Sequence, residues 1–293
     1  MLYIDLEKNE TYTAYRALHN ICPNVVPLRL PIFSRDELNI LAKGSFGQLT
    51  AKILNIFFGL NISDSSLEAC FKIHPLIPDN LDRKTLVIKI VEKSQQSISG
   101  LVDDIYTIMT GKAGISKGWP CIAIRISLLF GLYADLKRCG VYDFDIAVHA
   151  NDRTDFIAAY YAQKMGLPVN TIICGCSVEE GIWQLLHTGT LHDQYCSDIA
   201  AILHVNSENQ ARDYCTACTL NRTFCLEQDQ QRALNTELFT SVISSDRVDE
   251  LKGNSGKTFD KTIDPGAVIS YCALQDYRAV SGINRTTLLF SRI

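Results

Sequence analysis

The stretch that decides the fold runs from Phe144 to Gly175: FDIAVHANDRTDFIAAYYAQKMGLPVNTIICG. It reads as strand, loop, helix, turn and strand. Residues 144–149 alternate and carry β-branched side chains. Residues 155–165 place Phe156, Ala159, Tyr160 and Met165 at helical spacing. Gly166 sits where a helix C-cap needs a left-handed residue, and Pro168 blocks continuation. Thr171-Ile172-Ile173-Cys174 is a short apolar run bounded by turn residues, the pattern of a buried parallel strand. Such a unit requires a right-handed crossover and a parallel sheet. Ligands in such sheets sit beyond the C-terminal strand ends, so the loop His149-Ala150-Asn151-Asp152-Arg153-Thr154 is the expected ligand loop.

Residues 1–78 read as a small helical unit. A short strand over residues 2–5 precedes a helix over 12–21, with Thr11 as its N-cap. Ser34 and Glu37 form a capping box ahead of Leu38, Ile40 and Leu41. Residues 45–58 carry a wide apolar face (Phe46, Leu49, Ile53, Ile56, Phe57), and a further helix starts at Asp64. His74-Pro-Leu-Ile-Pro-Asp-Asn80 is rich in breakers and marks a domain boundary. Residues 79–293 read as an α/β domain. A strand over 85–91 leads to a helix over 99–110, with Asp103 and Asp104 in its first turn. A strongly apolar helix over 120–138 precedes the opening unit. Helices over 178–187, 227–238, 246–251 and 267–277 follow, then a strand over 287–290. Residues 191–225 are poorly periodic. The expected fold class is α/β: a three-layer parallel sheet with helices on both faces.

The chain has 293 residues, 47% hydrophobic and 20% charged, an ordinary globular composition. Its formal net charge of −4, with no basic stripe, argues against a nucleic-acid partner. The longest apolar stretches, such as residues 122–136, contain Arg125 and Asp135 and are too short and too charged to span a membrane. The N-terminus MLYIDLEKNE lacks the basic-then-apolar order of a signal peptide. The eleven cysteines are scattered and odd in number, several in apolar settings (Cys70, Cys121, Cys174, Cys272). They read as reduced core residues of a cytoplasmic protein.

Chemistry-bearing motifs are sparse. Cys215 and Cys218 form one close pair, with Cys196, His204 and Cys225 at loose distances. A structural zinc site needs tight paired spacing, so no metal is expected. Gly253-Asn-Ser-Gly-Lys257-Thr258 fails the phosphate-loop spacing, since Leu251 stands where the first glycine belongs. His149, Asp152 and Arg153 lie in the ligand loop, against the plainer reading of a solvated loop. No GxSxG motif or paired nucleophile and base is present.

Ala158-Ala-Tyr-Tyr-Ala-Gln-Lys-Met-Gly-Leu-Pro168 resembles the helix "AGYYAKKMGLP" of the threonine synthase family, pyridoxal-phosphate enzymes of fold type II. Other stretches agree in the same order. Residues 26–34 resemble "VPExLPxFS", 65–69 resemble "EELEA", and 100–104 resemble "GTFDD". Residues 118–125 with 133–136 resemble "SINWAR…YFYAYL", and Asp264-Pro265 with 271–274 resembles "DPHTAVGYAAL". The resemblance implies the large domain of fold type II enzymes. It also implies pyridoxal phosphate as cofactor, amino-acid biosynthesis, and lyase chemistry on O-phosphohomoserine.

The departures bear on activity. The family's Schiff-base lysine motif "HGPTLAFKD" and ring-holding motif "SGDTGSA" are absent, as if the cofactor small domain were largely missing. Lys84 and Lys89 fall near the gap, in unrelated surroundings. The family's "TGNFGD" phosphate loop aligns with Ala150, Asn151, Asp152, Arg153, Thr154 and Asp155, so both glycines are gone. A phosphate-binding nest depends on backbone angles that glycine permits, and Asp152 repels phosphate. Ser291 falls where the family has a threonine near the pyridine nitrogen. The degenerate cofactor positions are thus Ala150, Asn151, Asp152, Arg153, Thr154 and Ser291, with no catalytic residue assigned. The expected function is a non-catalytic threonine synthase-like protein without cofactor. It would be covered by homo-oligomerisation or a partner chain, and would bind a small amino acid if anything. The alternatives are an active or heteromeric pyridoxal-phosphate lyase and an oligomeric interaction module.

Overall fold

The computed structural model describes residues 1–19, 24–73, 76–90, 98–112, 118–191, 196–254 and 264–290. The N-terminal part contains strands β1 (Leu2–Asp5) and β2 (Glu10–Thr13), helix α1 (Ala14–Leu18), strand β3 (Val25–Pro27), and helices α2 (Arg35–Leu41), α3 (Phe46–Phe58) and α4 (Asp64–Ile73). Strand β4 (Leu76–Asp82), strand β5 (Thr85–Ile90), helix α5 (Ile98–Thr110) and helix α6 (Trp119–Arg138) come next. The opening unit supplies β6 (Phe144–His149), α7 (Arg153–Lys164) and β7 (Val169–Cys176). Then come α8 (Gly181–His187), β8 (Thr190–Leu191), α9 (Ser197–Asn206), α10 (Glu208–Thr219), β9 (Phe224–Cys225), α11 (Gln228–Glu237), β10 (Leu238–Val242), α12 (Ser245–Asn254), α13 (Pro265–Ser281) and β11 (Thr287–Phe290).

The central sheet has six strands in the order β10-β7-β6-β11-β5-β4. All pair in parallel except β4, which runs antiparallel to β5 at one edge. Alternate residues of each strand enter opposite layers, as the two-residue period of a strand demands. Ile88, Ile146, Val148, Ile172, Cys174 and Leu288 join the large core on one face. Val87, Ala147, Ile173 and Leu289 join the core under α13 on the other. Both faces being buried explains why the strands read as continuous apolar runs. Helix α7 covers the first face, and α6 packs behind it against α3, α5 and α7.

Two glycines hold this arrangement. Gly166 has φ of +101°, and a Cβ there would lie 2.3 Å from the Phe33 carbonyl oxygen. The Phe33 amide donates to the Met165 carbonyl at 2.8 Å, so the segment before α2 is laced onto the turn after α7. A Cβ on Gly175 would lie 2.8 Å from the Ile269 carbonyl oxygen, so α13 sits directly on β7.

Several local expectations are corrected. Residues 10–13 form β2 because Tyr12 is buried and pairs with Tyr3 across β1. The first helix therefore begins at Ala14, with Thr13 rather than Thr11 accepting the capping bond from the Arg16 amide. The breaker-rich segment holds strand β4, so residue 78 falls inside an element. Proline is tolerated there because β4 is an edge strand. Helix α5 starts one residue earlier than expected and carries no acidic residue in its first turn. Residues 191–225, which lack periodicity, contain α9 and α10. Helix α9 is buried from Asp198 to His204, so no polar stripe marks it. Strand β10 follows α11 directly, over residues for which, beyond Leu238, no element was expected. Helix α6 has the length and composition of a membrane span, but 89% of that window is buried in the protein. It is a core helix.

Candidate functional site

The connection expected over residues 149–154 lies between β6 and α7 at the C-terminal edge of the parallel strands, but it is shorter than expected, with His149 in β6 and Arg153 and Thr154 already in α7. Its backbone is already committed. The Ala150 amide donates to the Gly175 carbonyl at 2.9 Å, and the Asp152 amide donates to the His149 carbonyl at 2.8 Å. Asp152 is the N-cap of α7, with φ of −89° and no side-chain capping bond. The first backbone bond of the helix runs from the Phe156 amide to the Asp152 carbonyl at 3.0 Å.

The five described loop positions divide between two sides. Ala150 (buried), Asn151 (exposed) and Arg153 (exposed) line a cavity of about 550 Å³. Asp152 turns to the other side, where it shares a small void with His149, Asp155, Gly266 and Ser270. Thr154 is half-buried and lines neither space. Ser291 and residues 255–258 of the glycine-lysine segment lie outside the described residues, as does the Lys89 side chain.

Asp155 at the start of α7 meets Arg125 of α6 in a buried ion pair; the two side chains are 6% and 8% exposed. Burial pushes the Asp155 carboxyl up, the Asp152 charge pushes the same way, and Arg125 opposes both. Arg125 stays protonated, held by Asp155 against its own desolvation. The pair locks the first turn of α7 to the core helix.

The cavity is closed by elements far apart in sequence. Glu179 and Glu180 come from the loop leading into α8. Cys196 and Asp198 come from the start of α9, and Tyr214 comes from α10. Arg153 Nε lies 3.3 Å from Asp198 Oδ2. The Cys196 amide donates to the Tyr214 hydroxyl at 2.9 Å. Burial raises the carboxyl of Asp198 and that of Glu180, with Arg153 drawing both back. Burial likewise raises the Cys196 thiol above its ordinary value, so it rests protonated. Of these cavity residues, the sequence reading named only Cys196, in the loose cysteine set; Glu179, Glu180, Asp198 and Tyr214 were missed. Ser197-Asp198 directly before the apolar run 199–203 was the available helix-start signal.

Cys215 and Cys218 lie one turn apart within α10. Among the described residues no group of three or more His, Cys, Asp or Glu side chains is placed to hold a metal ion. The ten described cysteines form no disulfide.

The residues at the loop do not fit pyridoxal phosphate. Two amides that a phosphate cradle would use are bonded within the protein, the cradle has no glycine, and Asp152 and Asp155 stand beside it. Lys84 lies at the opposite edge of the sheet. Its carbonyl accepts the Thr287 amide at 2.7 Å, and Thr287 is in register with both Thr85 and Asp145. At about 3.3 Å per strand residue, the length of β6 puts the loop about 16 Å away.

No protein-family profile matches the chain, and no curated protein does. Solved structures do. A pyridoxal-phosphate-bound threonine synthase from Brucella melitensis superposes with a TM-score of 0.74 at 11% identity, over 100% of this chain and 88% of that one. Threonine synthase from yeast gives 0.72 at 12% identity, over 99% and 87%. Threonine synthase from Escherichia coli gives 0.67 at 15% identity, over 100% and 88%. The chain therefore has the fold of the threonine synthases, a mixed sheet with helices on both faces, carried on a sequence only distantly similar to theirs.

Proposed function

We propose that the protein is a non-catalytic relative of the threonine synthases, one that keeps the scaffold of the large domain and has given up the cofactor. The observation that carries this reading is the loop after β6, where the Ala150 and Asp152 amides are bonded within the protein, no glycine is present, and Asp152 and Asp155 stand alongside. Pyridoxal phosphate acts as an electron sink only when it is held and oriented by protein groups, and no lysine motif for that purpose is present in the sequence. The described cysteines, none in a disulfide, fit a reducing compartment, in keeping with a cytoplasmic location.

The test is to incubate the purified chain with pyridoxal phosphate, reduce with borohydride and map lysines by peptide mass. The expected result is scattered substoichiometric labelling and no phosphate release from O-phosphohomoserine. One lysine labelled to a full equivalent, with Lys89 the position to inspect first, would overturn the reading.

A further inference from the structure

We propose that the cavity between the β6–α7 loop, the loop into α8 and the start of α9 binds a small organic cation, an aliphatic amine or diamine. The inference rests on the non-catalytic reading above, since a phosphate held in the same loop would reverse the charge of the site. Three observations carry it.

The first is the cavity and its place. At about 550 Å³ it has the size of a small-molecule site. It opens outside the carboxyl ends of β6 and β7, where sheets of this class take ligands.

The second is the lining. Phe156, Ile182 and Ile199 give apolar wall against which an alkyl chain can lose its water. Among the described residues of the lining, Glu179, Glu180 and Asp198 give three carboxylates from two separate elements, while Arg153 is the one cation. An anion entering this space meets net negative charge; an ammonium group meets its complement.

The third is the state of Arg153. Its side chain is 63% exposed, whereas the Asp198 side chain it touches is only 10% exposed. A buried carboxylate, which also accepts from Ser197 Oγ at 3.3 Å and Cys196 Sγ at 3.7 Å, is thus met by an exposed guanidinium reaching in from the rim. Long cationic side chains behave this way when they cover a polar site at an apolar surface. A ligand ammonium seated deeper in the cavity would satisfy Asp198 and Glu180 more fully and release Arg153 to solvent. Tyr214 and Phe156 add aromatic wall, which favours a cation over a neutral ligand of the same size.

The experiment is calorimetric titration of the full chain with 1,5-diaminopentane, glutarate and inorganic phosphate at low ionic strength. The diamine is expected to bind saturably, and the two anions are not. Glu180→Gln weakens diamine binding by about three- to tenfold, and Arg153→Ala, which removes the competing cation, strengthens it by a similar factor. The opposite signs separate a site effect from a folding defect, because damage to the fold weakens both variants. Asp198→Asn, with thermal unfolding as a check, reports the deeper carboxylate. The proposal is overturned by absence of saturable diamine binding, by preference for phosphate or glutarate, or by Glu180→Gln and Arg153→Ala shifting affinity in the same direction. The borohydride experiment above fails or succeeds independently, so a cofactor-binding lysine would refute the non-catalytic reading without being confused with the diamine result.

Discussion

Replacing Gly166 by alanine tests how the N-terminal segment is joined to the central βαβ unit. At φ of +101° an L-residue is strained, which costs about 1–2 kcal/mol. The new Cβ would stand 2.3 Å from a backbone oxygen, that of Phe33, and no side-chain rotation relieves such a contact. Phe33 must move, which adds about 1–3 kcal/mol of overpacking. Movement also loosens the 2.8 Å Phe33–Met165 backbone bond and the edge-to-face contact of Phe33 with Phe130 at 5.5 Å. The expected destabilisation is about 3–5 kcal/mol. Gly59→Ala is the control, because Gly59 has φ of +65° with nothing within 4 Å of its absent Cβ. It should lose only the backbone part, about 1–2 kcal/mol. Urea unfolding followed by circular dichroism measures both. Equal losses for the two variants, within about 0.5 kcal/mol, would refute the lacing of residues 31–34 onto the α7–β7 turn.

Two further outcomes are expected. Arg125→Met strands Asp155 in the core and should cost about 3–5 kcal/mol, while the double variant Arg125→Met/Asp155→Leu should recover much of the loss, because burying a lone charge is worse than burying none. A double variant no more stable than the single one in denaturant unfolding would contradict that account. Asp145 gives a pH signature. Burial raises its carboxyl to about 6, against the Thr171 amide and Arg285, which pull it down. The folded state therefore keeps a proton between about pH 4 and 6 that the unfolded chain, with a pKa of about 3.9, has released. Stability from this group falls as pH rises through that window and is flat above it. Asp145→Asn should flatten the profile, and an unchanged slope in thermal unfolding across pH 4–7 would rule the assignment out.

Helix ends were legible in the sequence because their signals are local. The Ser34–Glu37 capping box and the left-handed Gly166 after α7 both lie where residue order places them. The β6–α7–β7 unit was legible for the same reason, since its periods of two and of about 3.6 sit side by side with a glycine between. What failed was local signal overridden by burial or pairing. Tyr12 went into a strand because β1 offered a partner. Pro78 was absorbed by a sheet edge. Helix α9 lost its polar stripe because it is enclosed on all sides.

The candidate site divides in the same way. Sequence alone determined that the connection between β6 and α7 lies at the carboxyl edge of the sheet and has no glycine for a phosphate, though the loop proper is only residues 150–152. Those are properties of neighbouring residues and of backbone freedom. Only the tertiary structure decided what the loop faces. Glu179 and Glu180, Asp198 and Tyr214 arrive from three elements, of which α9 packs against α7 and α10 packs against α9, and no spacing in the chain encodes their separation in space. The charge of the cavity, and with it the class of ligand proposed, follows from that convergence.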